Sequence, residues 1–355
     1  MRSRALILAS QALFVGCTDA LVPVAAPPLD RFVLDLERPL PERLVDWGLF
    51  AGGDLRGREP AEDVLEYSPP FALYSGGADK ERLVYLPPGK VIDGMNSEMY
   101  IFPVGTVFAK TFTFNDLRSA SGRAGQIPVE TRLLFRREAG WDFAVYHWSA
   151  AGDDARQILD PLTGPGPTGD AWYARRLSLT GPLGGDFEYE IPSRRDCGGC
   201  HETRADRPVL GVSAWLLDPR LVDAGLFSSP PHLRPTAGRT PLETEVQGYV
   251  AANCAFCHHG QGGTDNASFS LRPEDLIANT VNRETESSAS GFGVRVVPGQ
   301  PEESALFEAV VRARELAYDG DFKPMPPLGL LRSDPEAERL LRDWISSLPS
   351  DDEPR

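Results

Sequence analysis

Cys254-Ala255-Phe256-Cys257-His258 and, upstream of it, Cys197-Gly198-Gly199-Cys200-His201 contain every cysteine of the 355-residue chain except Cys17. Both strings read C-x-x-C-H, the pattern by which haem is attached covalently to protein. The spacing has a mechanical basis. Two thiols on one short turn can reach the two vinyl groups of a single haem, and the adjacent histidine falls beneath the iron. Cys197, Cys200, Cys254 and Cys257 are therefore the expected attachment points, and His201 and His258 the expected iron ligands, of two haem c groups. Rival readings are a four-thiolate zinc cage, a pair of thioredoxin-like redox motifs and two plain disulfides. The pairs lie further apart than in zinc ribbons, no βαβ pattern surrounds them, and a histidine after both pairs would be a coincidence.

Working outward from the second motif, Thr240, Pro241 and Glu243 form a capping-box start for a helix leading to Cys254. A polar, Gly/Ser-rich loop is expected from Gly260 to Val297. Pro301-Glu302-Glu303 then opens a helix with acids at its positive end. Ser333-Asp334-Pro335 starts a last helix in which Ala337, Leu340, Leu341, Trp344 and Ile345 share one face. Between these two helices, Lys323-Pro324-Met325-Pro326-Pro327 holds the region's only methionine on a proline-stiffened segment. That is the place of the methionine loop in small class I cytochromes c. Met325 is the expected sixth ligand of the second haem, the alternative being a core methionine. His259 follows His258 directly and points elsewhere.

Upstream of the linker Ser228–Pro235 the pattern is strand-like. Val129, Thr131, Leu133 and Phe135 alternate with Glu130, Arg132 and Leu134, a period of two. After a turn near Gly140, Trp141, Phe143, Val145 and His147 share a face, so the two segments read as a hairpin. Leu83–Leu86, Thr106–Phe114 and Phe187–Ile191 are further strands. The expected fold class is α+β and multidomain: a β-rich region over 36–227 with the first motif, a linker over 228–239, a small helical region over 240–349 and a tail over 350–355. For the first haem's sixth ligand the candidates are Met95, Met99 and His147. A histidine on an apolar strand face is equally a packed core residue, and His232 in the linker is weaker still.

Lys+Arg 36 against Asp+Glu 51 gives a net charge of −15. That balance argues against nucleic acid as a partner. Residues 1–17 have the layout of a bacterial export signal: Arg2 and Arg4, then an apolar stretch too short to span a bilayer, then Leu13-Phe14-Val15-Gly16-Cys17. The ending resembles a lipoprotein signal, which would make Cys17 a lipid-attachment site. An ordinary secretory peptide is the alternative. Residues 18–35 read as a tether. The expected location is the periplasmic side of a bacterial membrane, with membrane contact through the lipid alone.

The chain resembles a family of exported bacterial c-type cytochromes with a β-rich N-terminal region. The likeness rests on Phe102-Pro103-Val104-Gly105-Thr106, Lys110–Phe112, Val129–Leu134, Gly140-Trp141, Tyr146–Trp148, Ile191-Pro192-Ser193 and the first motif. It continues through Val209-Leu210-Gly211, Ser213, Ala252–His258, Pro298-Gly299 and Met325-Pro326-Pro327-Leu328-Gly329, about residues 45 to 348. His147 departs from the pattern, which has an apolar residue there. The resemblance implies a cytochrome c domain protein, with some relatives found beside sugar-oxidising dehydrogenases. The leading expectation is a dihaem protein passing electrons between a redox donor, such as a dehydrogenase, and a respiratory acceptor, another cytochrome or an oxidase. The alternatives are a peroxidase-like dihaem oxidoreductase with one open iron and a haem-bearing accessory subunit of a sugar dehydrogenase. No Ser/His/Asp set, phosphate-cradling glycine loop or evident carboxylate pair supports other catalysis.

Overall fold

Six antiparallel strands in sequential order form the main sheet: β1 (Val64–Glu66), β2 (Asp79–Tyr85), β3 (Val107–Asn115), β4 (Gln126–Arg137), β5 (Gly140–Trp148) and β6 (Ala155–Gln157). A two-stranded ribbon, β7 (Tyr173–Thr180) and β8 (Asp186–Pro192), follows. The structure, a computed structural model, describes residues 39–95, 100–115, 126–158, 173–180, 186–192, 197, 201, 209–260, 269–285, 292–311, 325–326 and 332–349. Five helices complete these segments: α1 (Pro219–Asp223), α2 (Pro241–Asn253), α3 (Leu276–Thr280), α4 (Ala305–Val311) and α5 (Pro335–Ser347). The mixture of sheet and helix is α+β.

The expected hairpin is β4–β5, with Arg137 paired to Gly140 across the turn. Its alternation needs one correction. The β3–β4 register shifts between Phe112 and Thr113, leaving Val129 as an extra, unpaired residue. This bulge turns Val129 to the opposite face from Leu133 and Phe135.

Both faces of the sheet are buried, although antiparallel sheets commonly leave one face to water. One face, with Leu83, Val107, Leu133, Phe135 and Tyr146, packs on the N-terminal segment through Leu44, Trp47 and Phe50. There the Trp47 indole N–H donates to the Tyr146 hydroxyl at 2.6 Å, which donates to the Pro41 carbonyl at 2.6 Å. The other face, with Val84, Phe108, Phe112, Leu134 and Phe143, packs on Tyr189 and Ile191 of β8, on Cys197 and on Leu221 of α1. The second covering layer puts the residues that alternate with Leu133 and Phe135 inside the protein.

Downstream, α2 begins as the sequence predicts: the Thr240 hydroxyl accepts the Glu243 N–H at 3.1 Å, and Pro241 needs no partner for its nitrogen. On α5, Ala337, Leu340, Leu341, Trp344 and Ile345 are all buried, in one core with Val246 and Val250 of α2 and Phe307 of α4. Two expectations change. Pro301–Glu303 makes a separate 3-10 turn, and α4 starts only at Ala305. Ser304 between them stays extended because its buried hydroxyl accepts from Val297 N–H and donates to the Gln300 carbonyl. The expected loop from 260 to 297 contains α3 and a core segment, with Leu271, Leu276 and Val296 fully buried.

The helical and β-rich segments are fastened by residues 71–76. Asn253, the residue before Cys254, donates to the Ala72 carbonyl at 3.1 Å and accepts the Tyr74 N–H at 2.7 Å. Arg332 donates to the Gly76 carbonyl and the Tyr74 hydroxyl to the Ser333 carbonyl. The linker is pinned as well: Ser228 N–H donates to Ile92, and Arg234 N–H to Ala214.

Candidate functional site

The second motif sits at the end of α2. The backbone bends at Cys254, whose carbonyl accepts from both Cys257 N–H (3.1 Å) and His258 N–H (2.9 Å). The whole C-x-x-C-H string is thereby one tight turn, as double thioether attachment requires. His258 is then held by its carbonyl, which accepts the Leu271 N–H at 2.8 Å, and by the Phe269 ring at 4.8 Å. The Arg295 guanidinium lies over the Phe269 ring, 3.8 Å from its centre.

Burial, helped by the positive charge of Arg295 and by His259, pushes the His258 imidazole down to about 4. It is neutral at pH 7, the form that ligates iron. Its Nδ1 is buried with no hydrogen-bond partner among the described residues. Burial also pushes the Cys254 thiol up to about 12. Cys254 is a free thiol. Among the described residues, no three His, Cys, Asp or Glu side chains converge on a point that could hold a metal ion. A neutral, buried imidazole whose Nδ1 has no hydrogen-bond partner among the described residues, on the same turn as Cys254 and Cys257, fits covalent haem.

The first motif borders a cavity of about 120 Å³. Cys197 is buried in the wall, and the His201 ring stands 5.5 Å from Phe143 of β5. Phe108, Phe112, Leu134 and Val209 make much of the lining apolar, as a porphyrin face requires. Phe256, the third residue of the second motif, and Pro326, the neighbour of Met325, line the same cavity. Cys197 and His201 of the first motif and Phe256 of the second, far apart in the chain, thus line one cavity.

Met325 is half-buried between α4 and α5, its N–H donating to the Ala309 carbonyl at 2.7 Å. Met95 is not brought to the cavity: it is 81% exposed, in a surface turn where Asp93 accepts its N–H. His147 lies toward the end of β5, opposite Glu130 and Arg156, and is not among the lining residues. His232 is exposed. Cys17, Met99 and Cys200 lie outside the described residues.

The polar lining was missed by sequence reasoning. Lys110 of β3 and Arg132 of β4 line the cavity, as do Tyr189 and Glu190 of β8. Glu130 is fully buried and receives Arg132 through two hydrogen bonds, at 2.9 and 2.5 Å, and the Tyr189 hydroxyl at 2.6 Å. This pair holds the Arg132 guanidinium well above its ordinary range despite burial. One signal was available. Lys110 lies between Phe108 and Phe112 at alternate positions, so a cavity-facing strand had to carry it inward. Among the described residues no helix is long and apolar enough to cross a membrane. No family model, no curated protein and no solved structure matches the chain.

Proposed function

We propose that the protein is a dihaem c-type electron carrier of the exported side of a bacterial membrane, held there through Cys17, with a class I cytochrome c-like helical region following a β-rich one. The observation that carries this reading is the shared wall. Phe256 and Pro326 from the second motif and its methionine loop close the cavity that contains Cys197 and His201. Two redox groups attached at these motifs would be neighbours, as transfer from one to the other requires. Bound haem supplies a one-electron iron couple.

The chain's own residues do the rest. Cys254 and Cys257, presented on one turn, hold the cofactor edge, with Cys197 and Cys200 doing the same at the first site. His258, neutral and fixed by Phe269 and the Leu271 N–H, offers a ring nitrogen to the metal. Met325 is the proposed sixth ligand there, a soft thioether that favours the reduced iron. Phe108, Phe112 and Phe143 exclude water from the first site. Donor and acceptor are protein partners, a dehydrogenase and a downstream cytochrome or oxidase.

The test is a haem count by pyridine haemochrome on denatured, full-length protein matured in a competent host. Two covalent haems per chain are expected, and one after Cys197→Ser/Cys200→Ser or after Cys254→Ser/Cys257→Ser. Bound zinc without haem would overturn the proposal.

A further inference from the structure

Three cations stand side by side across the sheet on its cavity face. Arg82 of β2 is paired with Lys110 of β3, and Lys110 with Arg132 of β4. Directly opposed residues on neighbouring strands have Cβ atoms about 4.5–5.5 Å apart, and like charges there repel. Lys80, two residues before Arg82 on the same face, adds a fourth.

Their partners are unequal. Arg132 is neutralised by Glu130. Lys80 donates to the carbonyls of Leu73 and Ala78 and feels the carboxylate of Asp334. Arg82, 6% exposed, donates only to the Lys80 carbonyl, and Lys110 has no hydrogen bond or ion pair among the described residues. Among the described residues neither Arg82 nor Lys110 has a carboxylate hydrogen-bonded to it, and buried cations are costly unless negative charge is supplied to them. Burial and the neighbouring charges of Arg82, Lys80 and Arg132 hold the Lys110 ammonium well below its ordinary range. Lys110 and Arg132 line the cavity that Cys197 and His201 also border.

We propose that the Arg82–Lys110–Arg132 row is a cradle for a pair of carboxylates, those of the haem attached through Cys197. The assignment rests on the dihaem reading. A haem carries two propionates, opposite in sign to the two cations that line the cavity, Lys110 and Arg132. Lys110 is the contact inside the cavity, Arg132 is oriented by Glu130, and Arg82 flanks Lys110 as a positioning residue. The same cations could hold a free oxyanion or dicarboxylate instead, and the two sources separate by experiment.

The test uses matured, full-length holoprotein and a spectroelectrochemical titration of both haems. Lys110→Gln should lower the potential of one haem and leave the other unmoved, because removing a nearby positive charge favours the oxidised iron. Lys110→Arg should restore the potential. Arg82→Gln carries the same expectation of a one-haem decrease and serves where Lys110→Gln does not mature. Inorganic phosphate or succinate added to the unmodified protein should change neither spectrum nor potential. Unmoved potentials in both Gln variants would overturn the assignment, as would a phosphate or succinate response that Lys110→Gln abolishes. Failure of the dihaem reading shows separately, as a haem count other than two in the unmodified protein.

Discussion

Gly248→Ala should destabilise the protein even though it improves a helix. Gly248 lies inside α2, where alanine is favoured over glycine by about 0.8–1.0 kcal/mol. Against this, a Cβ at 248 would stand 2.2 Å from Phe71 Cζ and 2.3 Å from both Cε atoms. Ordinary contact begins at 3.4 Å, so the ring must retreat by more than 1 Å. It has little room: Phe71 packs against Trp215, Leu216, Ala251 and Ala252, and the backbone beyond it is tied to Asn253 at Ala72 and Tyr74. Overpacking costs about 1–3 kcal/mol, and a ring that must retreat by more than 1 Å with little room falls in the upper half of that range, above the helix gain. The expected net loss is about 1–2 kcal/mol, read as a lower urea midpoint at unchanged slope in matured holoprotein. In a Phe71→Ala background the sign should reverse, with Gly248→Ala stabilising by up to about 1 kcal/mol. A single Gly248→Ala variant as stable as the parent would refute the argument that α2 and residues 71–76 are in close contact.

Two further substitutions probe the sites. Met325→Ala should lower one haem potential, abolish the weak near-infrared sulfur-to-iron band and admit carbon monoxide, with both haems still attached; Met325→His should restore six-coordination at a low potential. Cavity formation alone costs about 2–5 kcal/mol for a buried methionine, so lost stability does not count in favour, and unchanged spectra and potentials in both variants would make Met325 a packing residue. Glu130→Gln leaves Arg132 beside an uncharged amide in a site where Glu130 is fully buried, and should cost about 3 kcal/mol in urea unfolding. Tyr189→Phe removes one hydrogen bond to Glu130 and should cost about 1 kcal/mol; equal losses in the two variants would mean the ion pair contributes nothing.

The hairpin β4–β5, the Thr240 cap and the buried face of α5 were legible because each depends on residues a few positions apart. Alternation, a capping side chain and a 3.6-residue period are local signals, and the structure follows them. The bulge at Val129 was not legible, since it is set by the pairing of β4 with β3 rather than by either strand alone. Ser304 belongs to the same class. Its extended backbone follows from one buried hydroxyl bridging Val297 and Gln300, which no helix signal anticipates. The segment from 260 to 297 was read by composition, and composition hid the few apolar residues, Leu271, Leu276 and Val296, that carry it into the core.

The candidate site divides along the same line. Each C-x-x-C-H string was legible because its thiols and histidine are neighbours in sequence, and at Cys254–His258 the structure folds that spacing into one turn. The cavity wall has no such shortcut. Its residues come from 73–75, from β3, β4 and β8, and from Phe256 and Pro326, brought together only by a sheet covered on both faces. The alternation in β4 set Arg132 on the opposite face from Leu133 and Phe135 without saying what covers that face, and net charge gave no help, since an acidic chain gives no hint of a cationic interior. The second covering layer changes that: beneath β8 and Cys197, Arg132 is paired with Glu130, while Arg82 and Lys110 have no carboxylate hydrogen-bonded to them among the described residues. A buried cation without a carboxylate is weak as a stabilising device and strong as a binding one. On the proposed reading, it is therefore the pocket wall, more than the motif beside it, that would hold the charged end of an attached group.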